Sequence, residues 1–210
     1  EYQRQMMAVG LFLPEPRRIV QLGLGAAALT KFCWCEVSSA SIVAVELSVD
    51  VIDAAHAWFC LPPDDARLNV VNADAREFIS HPRQRGLADW LQVDLYDAAA
   101  RGPVYDDVAF YRACRKALRA PGVASFNLFG ARFDPSFAAI ASAFDDRALV
   151  LPEVDAGNRV VLAVVGPPLD VPFAALDRRA RELEARWNLK ARGWVAGLRR
   201  ANVFGTSFEL

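Results

Sequence analysis

Short and almost unbroken apolar runs alternate along this chain with amphipathic stretches of helical period. The runs fall at residues 19–22, 42–45, 67–71, 88–93 and 123–126, each bounded by Gly, Pro, Asn, Asp or a charged residue. Strands that are apolar on both faces belong in a parallel sheet covered on both sides, because strict alternation marks a sheet with one wet face. Between the runs, the spacing predicts helices after the loop at 23–28, over 51–59, over 75–80, over 106–119 and over 135–144. In the fourth, Val108, Tyr111 and Leu118 are apolar and Pro121-Gly122 stops the helix. Two later runs, 148–151 and 160–165, are joined by the turn signal Asp155-Ala156-Gly157-Asn158 and read as an antiparallel hairpin at the sheet edge. Gly166-Pro167-Pro168 then breaks the pattern, and residues 171–187 carry Leu176, Ala180, Leu183 and Trp187 at helical spacing. The expectation is an α/β fold with a mostly parallel seven-stranded sheet and an antiparallel edge hairpin. Residues 1–166 are expected to form one domain, and 167–210 a C-terminal helical extension packed on it.

The residues at the strand ends indicate what the sheet holds. The first strand runs into Gly23-Leu24-Gly25-Ala26-Ala27-Ala28, where Gly23 and Gly25 permit a sharp turn and close approach to a ligand at a helix N-terminus. Glu46 ends the second strand, near the ~20-residue spacing at which an acid meets the two hydroxyls of a ribose. Asp74 ends the third strand, placed either to accept from an adenine amino group or to cap the helix that begins at Ala75, or to do both. In an open parallel sheet these edges face one crevice. Nothing charged in the glycine loop meets a pyrophosphate, which favours a sulfonium nucleoside, S-adenosylmethionine or its decarboxylated form, over a dinucleotide. The fourth strand ends in Asp94-Leu95-Tyr96-Asp97, two carboxylates three residues apart, able to hold a cationic amine and take its proton. Their plainer reading is a turn cap and a solvated acid. Tyr96 is placed to stack on adenine, to gate an acceptor, or to lie on the surface.

Taken in order, Tyr2-Gln3-Arg4-Gln5-Met6-Met7, Gly23-Leu24-Gly25, Val45-Glu46-Leu47, Asn72-Ala73-Asp74-Ala75, Asp94-x-x-Asp97 and Gly102-Pro103-Val104-Tyr105 resemble the spermidine synthase (polyamine aminopropyltransferase) family, in its spermidine-synthase-like branch. The resemblance covers the chain from Tyr2 to about Val165. It implies the Rossmann-like class I S-adenosylmethionine-dependent methyltransferase fold and a homodimer. It also implies cofactor contacts from Gly23, Gly25, Glu46, Asp74 and Ala75, Asp94 as base, Asp97 holding the amine, and Tyr2, Gln3 and Tyr96 on the substrate side. The implied reaction is transfer of an aminopropyl group from decarboxylated S-adenosylmethionine to a small-molecule amine. Two departures bear on this. The family's loop acid, which pairs with the aminopropyl amine, is here Ala26, and the later Tyr-Pro segment and most of the amino-terminal hairpin domain are not recognisable. A methyltransferase using ordinary S-adenosylmethionine and a non-catalytic homologue therefore stand as alternatives.

Composition narrows the remaining classes. The 210 residues are 54% hydrophobic, enough for one sizeable core, and 24 basic against 25 acidic side chains give a formal net charge of -1, with no overall basic field for nucleic acid. Cys33, Cys35, Cys60 and Cys114 form no C-x-x-C pair, and with only His56 and His81 beside them a metal cage is not expected. Reduced thiols fit a cytoplasmic protein. No run reaches the ~18 apolar residues of a membrane span and no signal peptide is visible, while a start at Glu1 rather than methionine leaves room for a segment upstream. His56 reads as a structural histidine, and Cys33 and Cys35 as packing residues. An exposed apolar face over 173–187 is the expected dimer surface.

Overall fold

A computed structural model describes residues 1–97, 102–130, 133–155, 157–168, 170–202 and 207–209, the last three for backbone only. A short helix α1 (Tyr2–Met6) and a 3-10 turn (Met7–Leu11) lead into β1 (Arg18–Leu22), after which strands and helices alternate. These are α2 (Ala28–Glu36), β2 (Ser41–Glu46), α3 (Val49–Trp58), β3 (Leu68–Asn72), α4 (Ala75–Ser80), β4 (Ala88–Val93), α5 (Val108–Ala117), β5 (Leu118–Phe129) and α6 (Phe133–Ala143). The chain closes with β6 (Ala148–Val150), β7 (Asn158–Val165), β8 (Asp170–Pro172), α7 (Phe173–Trp187), α8 (Ala191–Ala201) and β9 (Ser207–Glu209). The main sheet has the order β3-β2-β1-β4-β5-β7-β6, parallel throughout except that β7 runs antiparallel to both β5 and β6.

Strand residues alternate between two apolar layers. Ile19, Ile42 and Ala44 pack with α2, α3, α7 and α8, whereas Val20, Val43 and Val45 pack with α4, α5 and α6. This two-sided burial is why the runs read as unbroken in the sequence. The layer under α2 contains one polar insertion. Gln21 and Gln92 face each other across β1 and β4, Gln21 Nε2 donates to Gln92 Oε1 at 2.8 Å, and Thr30 Oγ1 donates to Gln21 Oε1 at 2.7 Å. Gln92 Nε2 also reaches the Met6 carbonyl at 3.5 Å, so paired amides tie α1 and α2 to the sheet centre without leaving a buried group unsatisfied at these contacts.

Three expectations need correction. The helix placed over 106–119 is α5, which begins after Asp107 caps the Phe110 N–H at 2.9 Å and ends at Ala117. Leu118 to Pro121 instead open β5, because Leu118 is buried and pairs with Ala88 at an irregular step in the β4 register. The helix placed over 171–187 begins at Phe173, since Asp170–Pro172 pair with Ser207–Glu209 in a separate two-stranded sheet. Its apolar face is not exposed. Phe173, Leu176, Ala180, Leu183 and Trp187 are all buried within the chain. The Trp187 ring stands edge-on to Phe32 and Trp90, and Arg179 Nη1 donates to the Leu11 carbonyl at 3.0 Å, so α7 clamps the 3-10 turn onto the sheet. Gly10 is required there, because a Cβ would lie 2.6 Å from Trp187 Cη2. Of the two cysteines read as packing, Cys33 is buried and Cys35 is exposed. His56 Nδ1 lies 3.0 Å from the Leu61 carbonyl, a structural contact. The turn predicted at 155–158 includes Ala156, which lies outside the described residues, and Asn158 already belongs to β7.

One buried acid pins the amino-terminal end of the central strands, on the side away from the crevice. Asp89 Oδ2 accepts from the Arg17 N–H at 2.6 Å and the Arg18 N–H at 2.9 Å, while Oδ1 accepts from Arg119 Nε at 3.0 Å. Replacing it by alanine strands two backbone donors, each costing about 1–3 kcal/mol when buried. Asp89→Ala is expected to lower stability by about 3 kcal/mol, read as a lower urea midpoint at unchanged slope.

Candidate active site

The strand order reverses at β1, with β2 on one side and β4 on the other, and there the carboxyl ends of β1 to β4 open into one cavity of about 760 Å³. Tyr2, Gln3, Gly23, Gly25, Glu46, Asp74, Ala75, Asp94, Tyr96 and Asp97 all line it, together with Ala26, Val104 and Tyr105. These residues come from six separate stretches of sequence, converging because α1 folds across the same strand ends.

Glu46 is fixed by the backbone on both sides. Its Oε2 accepts from the Leu24 N–H at 3.1 Å and its Oε1 from the Ser48 N–H at 3.0 Å. A carboxylate has about four acceptor positions, so two remain for a ligand. The loop before α2 is shaped by three successive constraints. Gly23, at φ +95°, brings its backbone against the Asp94 carbonyl, and a Cβ there would sit 2.2 Å from that oxygen. Gly25, at φ +50°, has no neighbour within 4 Å of a Cβ position. Ala27, at φ 56° and ψ 20°, holds the left-handed conformation that turns the chain into α2, at a cost of about 1–2 kcal/mol for a residue with a Cβ.

Asp74 caps α4 by accepting the Glu77 N–H at 2.9 Å, and its other oxygen accepts from the Tyr105 hydroxyl. Burial pushes the Asp74 carboxyl up, but the bonds from Tyr105 and the backbone N–H groups of Glu77 and Arg76 outweigh it and hold the group below the ordinary carboxylate range. The Arg76 guanidinium stacks 4.5 Å over the Tyr105 ring and pairs with Asp107, which fixes the 104–107 segment against the cavity wall. Tyr105 stands in the Gly102-Pro103-Val104-Tyr105 pattern, but the sequence pattern alone assigns it no role.

Asp94 sits where β4 ends, its N–H donating to the Leu22 carbonyl at 2.9 Å and its Oδ1 accepting from Asn127 Nδ2 at 2.9 Å. Burial raises its pKa above the ordinary value, opposed by hydrogen bonds from Asn127 and the Tyr2 hydroxyl. Tyr2 and Tyr96 are both pushed up, first by burial and then by the Asp94 charge. Asn127, on β5, has no signature in the sequence beyond being a polar residue in an apolar run. Tyr2 is held from the opposite side by Asp155, whose Oδ2 accepts the Tyr2 N–H at 2.6 Å, and Gln5 Nε2 donates to the Pro152 carbonyl at 3.1 Å. Among the described residues, the charged groups lining the cavity are Glu46, Asp74, Asp94 and Asp97, with no Lys, Arg or His. Such a wall attracts cations. Among the described residues, no cluster of three His, Cys, Asp or Glu is placed to hold a metal ion, and no helix is long and apolar enough to cross a membrane.

The sheet order, the antiparallel seventh strand and the acid-lined crevice at the switch point define a Rossmann-like protein of the class I S-adenosylmethionine-dependent methyltransferase fold. The chain superimposes on human methyltransferase-like protein 13 in complex with SAH with a TM-score of 0.80 at 21% identity, covering 90% of this chain and 92% of that one. It superimposes on a spermidine synthase in complex with the transition state analogue AdoDATO with a TM-score of 0.75 at 21% identity, covering 94% and 71%. No protein-family model matches the chain. In sequence it is 30% identical over 203 residues to the polyamine aminopropyltransferase of Chromobacterium violaceum, covering 96% of this chain and 77% of that protein. The chain belongs to the polyamine aminopropyltransferase family, a family of transferases.

Proposed function

We propose that the protein transfers an aminopropyl group from decarboxylated S-adenosylmethionine to an amine, with Glu46 on the ribose, Asp74 on the adenine, and Asp94 and Asp97 on the acceptor nitrogen. The observation that carries this reading is the cavity wall itself, with four carboxylates and no cationic side chain among the described lining residues. A decarboxylated donor carries both a sulfonium and an ammonium and suits that wall, whereas ordinary S-adenosylmethionine adds a carboxylate that the wall repels. The donor supplies an activated carbon beside its sulfur. The chain's residues then supply alignment and a proton acceptor.

An alkyl amine resembling a lysine is protonated at neutral pH, with a reference pKa near ~10.4, and cannot attack in that form. Asp94 takes the proton, Asn127 and Tyr2 keep its carboxylate oriented, and the freed nitrogen lone pair forms the new C–N bond as the C–S bond breaks. Methylthioadenosine leaves neutral, its sulfur keeping the electron pair. Alignment of the nitrogen with the carbon is the larger contribution, and proton removal adds about 10²–10⁴-fold.

One observation supports the rival methyltransferase reading: Ala26 leaves the glycine loop without the acid that would repel a methionine carboxylate. Calorimetric titration with both nucleosides decides between them. Tighter binding of the decarboxylated form is expected, and the opposite order would replace aminopropyl by methyl transfer. Glu46→Ala is expected to weaken binding of methylthioadenosine by at least about tenfold, since two hydroxyl bonds to a charged group are lost, each contributing ~1.5–3 kcal/mol. In this reading the protein works in the cytoplasm as a homodimer, with 1–166 as the catalytic unit and 167–210 as its packed extension. Light scattering that finds only a species of one chain mass would remove the dimer.

A further inference from the structure

A second cavity of about 310 Å³ lies in the cleft between α1 and α2. Gln3 borders both it and the main cavity, and the loop between them contributes Ala26 to the main cavity and Ala28, at the start of α2, to the cleft. Gln3 is therefore a wall common to the two spaces, beside the end of the glycine loop. Their chemistry differs sharply. The main cavity carries four carboxylates, whereas the cleft is walled by Met7, Leu29, Phe32 and Leu189, and its one charged lining residue among those described, Arg4, is paired with Glu1 at 2.9 Å.

We infer that this cleft is a subsite for the apolar tail of the acceptor, so that the preferred acceptor is a monoamine with an alkyl or aryl tail rather than a linear diamine. The inference rests on the aminopropyl-transfer reading. An acceptor whose nitrogen meets Asp94 and Asp97 lies under Tyr2, and the remainder of the molecule leaves along the neighbouring Gln3 wall, toward the cleft. An alkyl chain there gains by leaving water. A second ammonium would find no carboxylate on the cleft wall and would give up water against apolar side chains without a compensating partner.

The test uses matched acceptors with the decarboxylated donor. Along propylamine to hexylamine, KM is expected to fall roughly threefold to fourfold per added methylene. 1,6-Diaminohexane, which differs from hexylamine only by its far ammonium, is expected to have a KM at least tenfold higher, in the range a lost apolar contact and an unpaired charge allow. Ala28→Glu places a carboxylate in the cleft at an exposed position in the first turn of α2, where an acid suits the helix dipole and folding is not threatened. That variant should narrow or reverse the preference for hexylamine. Equal or better use of the diamine by the unmodified protein, or a preference that Ala28→Glu does not move, overturns the subsite. Calorimetry of hexylamine with protein saturated in methylthioadenosine separates the two claims. Methylene-dependent binding with no product from any amine overturns the transfer reading and supports the subsite. Product from all amines with no dependence on tail length overturns the subsite and leaves the transfer reading standing.

Discussion

Asp94→Asn should reduce turnover by about 10²–10⁴-fold, the usual contribution of a positioned proton acceptor, while methylthioadenosine still binds through Glu46 and Asp74. The asparagine keeps the shape and an oxygen for the Asn127 Nδ2 donor, but cannot take the ammonium proton. Because burial raises the Asp94 pKa, the acid limb of the kcat/KM profile should lie above the ordinary carboxylate range, and activity should fall as pH drops through it. The stability effect has the opposite sign from the catalytic one. A carboxyl whose folded pKa is raised is disfavoured in its charged form by folding, a cost absent below the unfolded pKa and fully present above the folded one. The asparagine variant should therefore be at least as stable as the parent at neutral pH, with any advantage shrinking as the solution is acidified. Thermal melts across pH, beside methylthioadenosine release, read both effects. Unchanged turnover in the variant would remove Asp94 as base, and a parent that binds nucleoside but turns over nothing would favour the non-catalytic homologue.

What the sequence made legible follows from which interactions are local. The central strands stand out because they are buried on both faces, and the residues at the carboxyl ends of the parallel strands are fixed in space once the sheet forms. Helix ends are harder to read where a later pairing competes. Leu118 has helical spacing from Tyr111, yet pairing with Ala88 draws it into β5. Likewise Asp170–Pro172 gain a partner more than thirty residues later in sequence. The fate of the α7 face was hidden for the same reason. An amphipathic helix records that it covers something, and only the three-dimensional packing shows that Trp187 lands on Gly10, Phe32 and Trp90 rather than on a second chain. Within the site, acids at strand ends were visible and their partners were not. Asn127 and Asp155 act through contacts spanning 33 and 153 residues, distances over which periodicity carries no information.

Gly23→Ala is expected to have the largest effect of any single methyl added to the loop. The new Cβ would meet the backbone oxygen of Asp94 at 2.2 Å and its carbonyl carbon at 3.0 Å, with no flexible side chain to give way, and at φ +95° the backbone itself disfavours a Cβ. Strain of this kind costs of order 1–3 kcal/mol, and overpacking against a fixed neighbour a similar amount, so a stability loss of about 3 kcal/mol or more is expected. Relief can come only by separating the ends of β1 and β4. That movement carries the Leu24 N–H away from Glu46 and shifts Asp94, so nucleoside affinity should fall about 100-fold or more, which corresponds to roughly 3 kcal/mol. Gly25→Ala is the matched control, because its φ is also positive but its Cβ direction is empty. It should lose only about 1–2 kcal/mol of stability from the left-handed backbone. Denaturant unfolding of the two variants side by side separates steric contact from backbone preference. Equal losses would show that the approach of Gly23 to Asp94 does not hold the two halves of the crevice together.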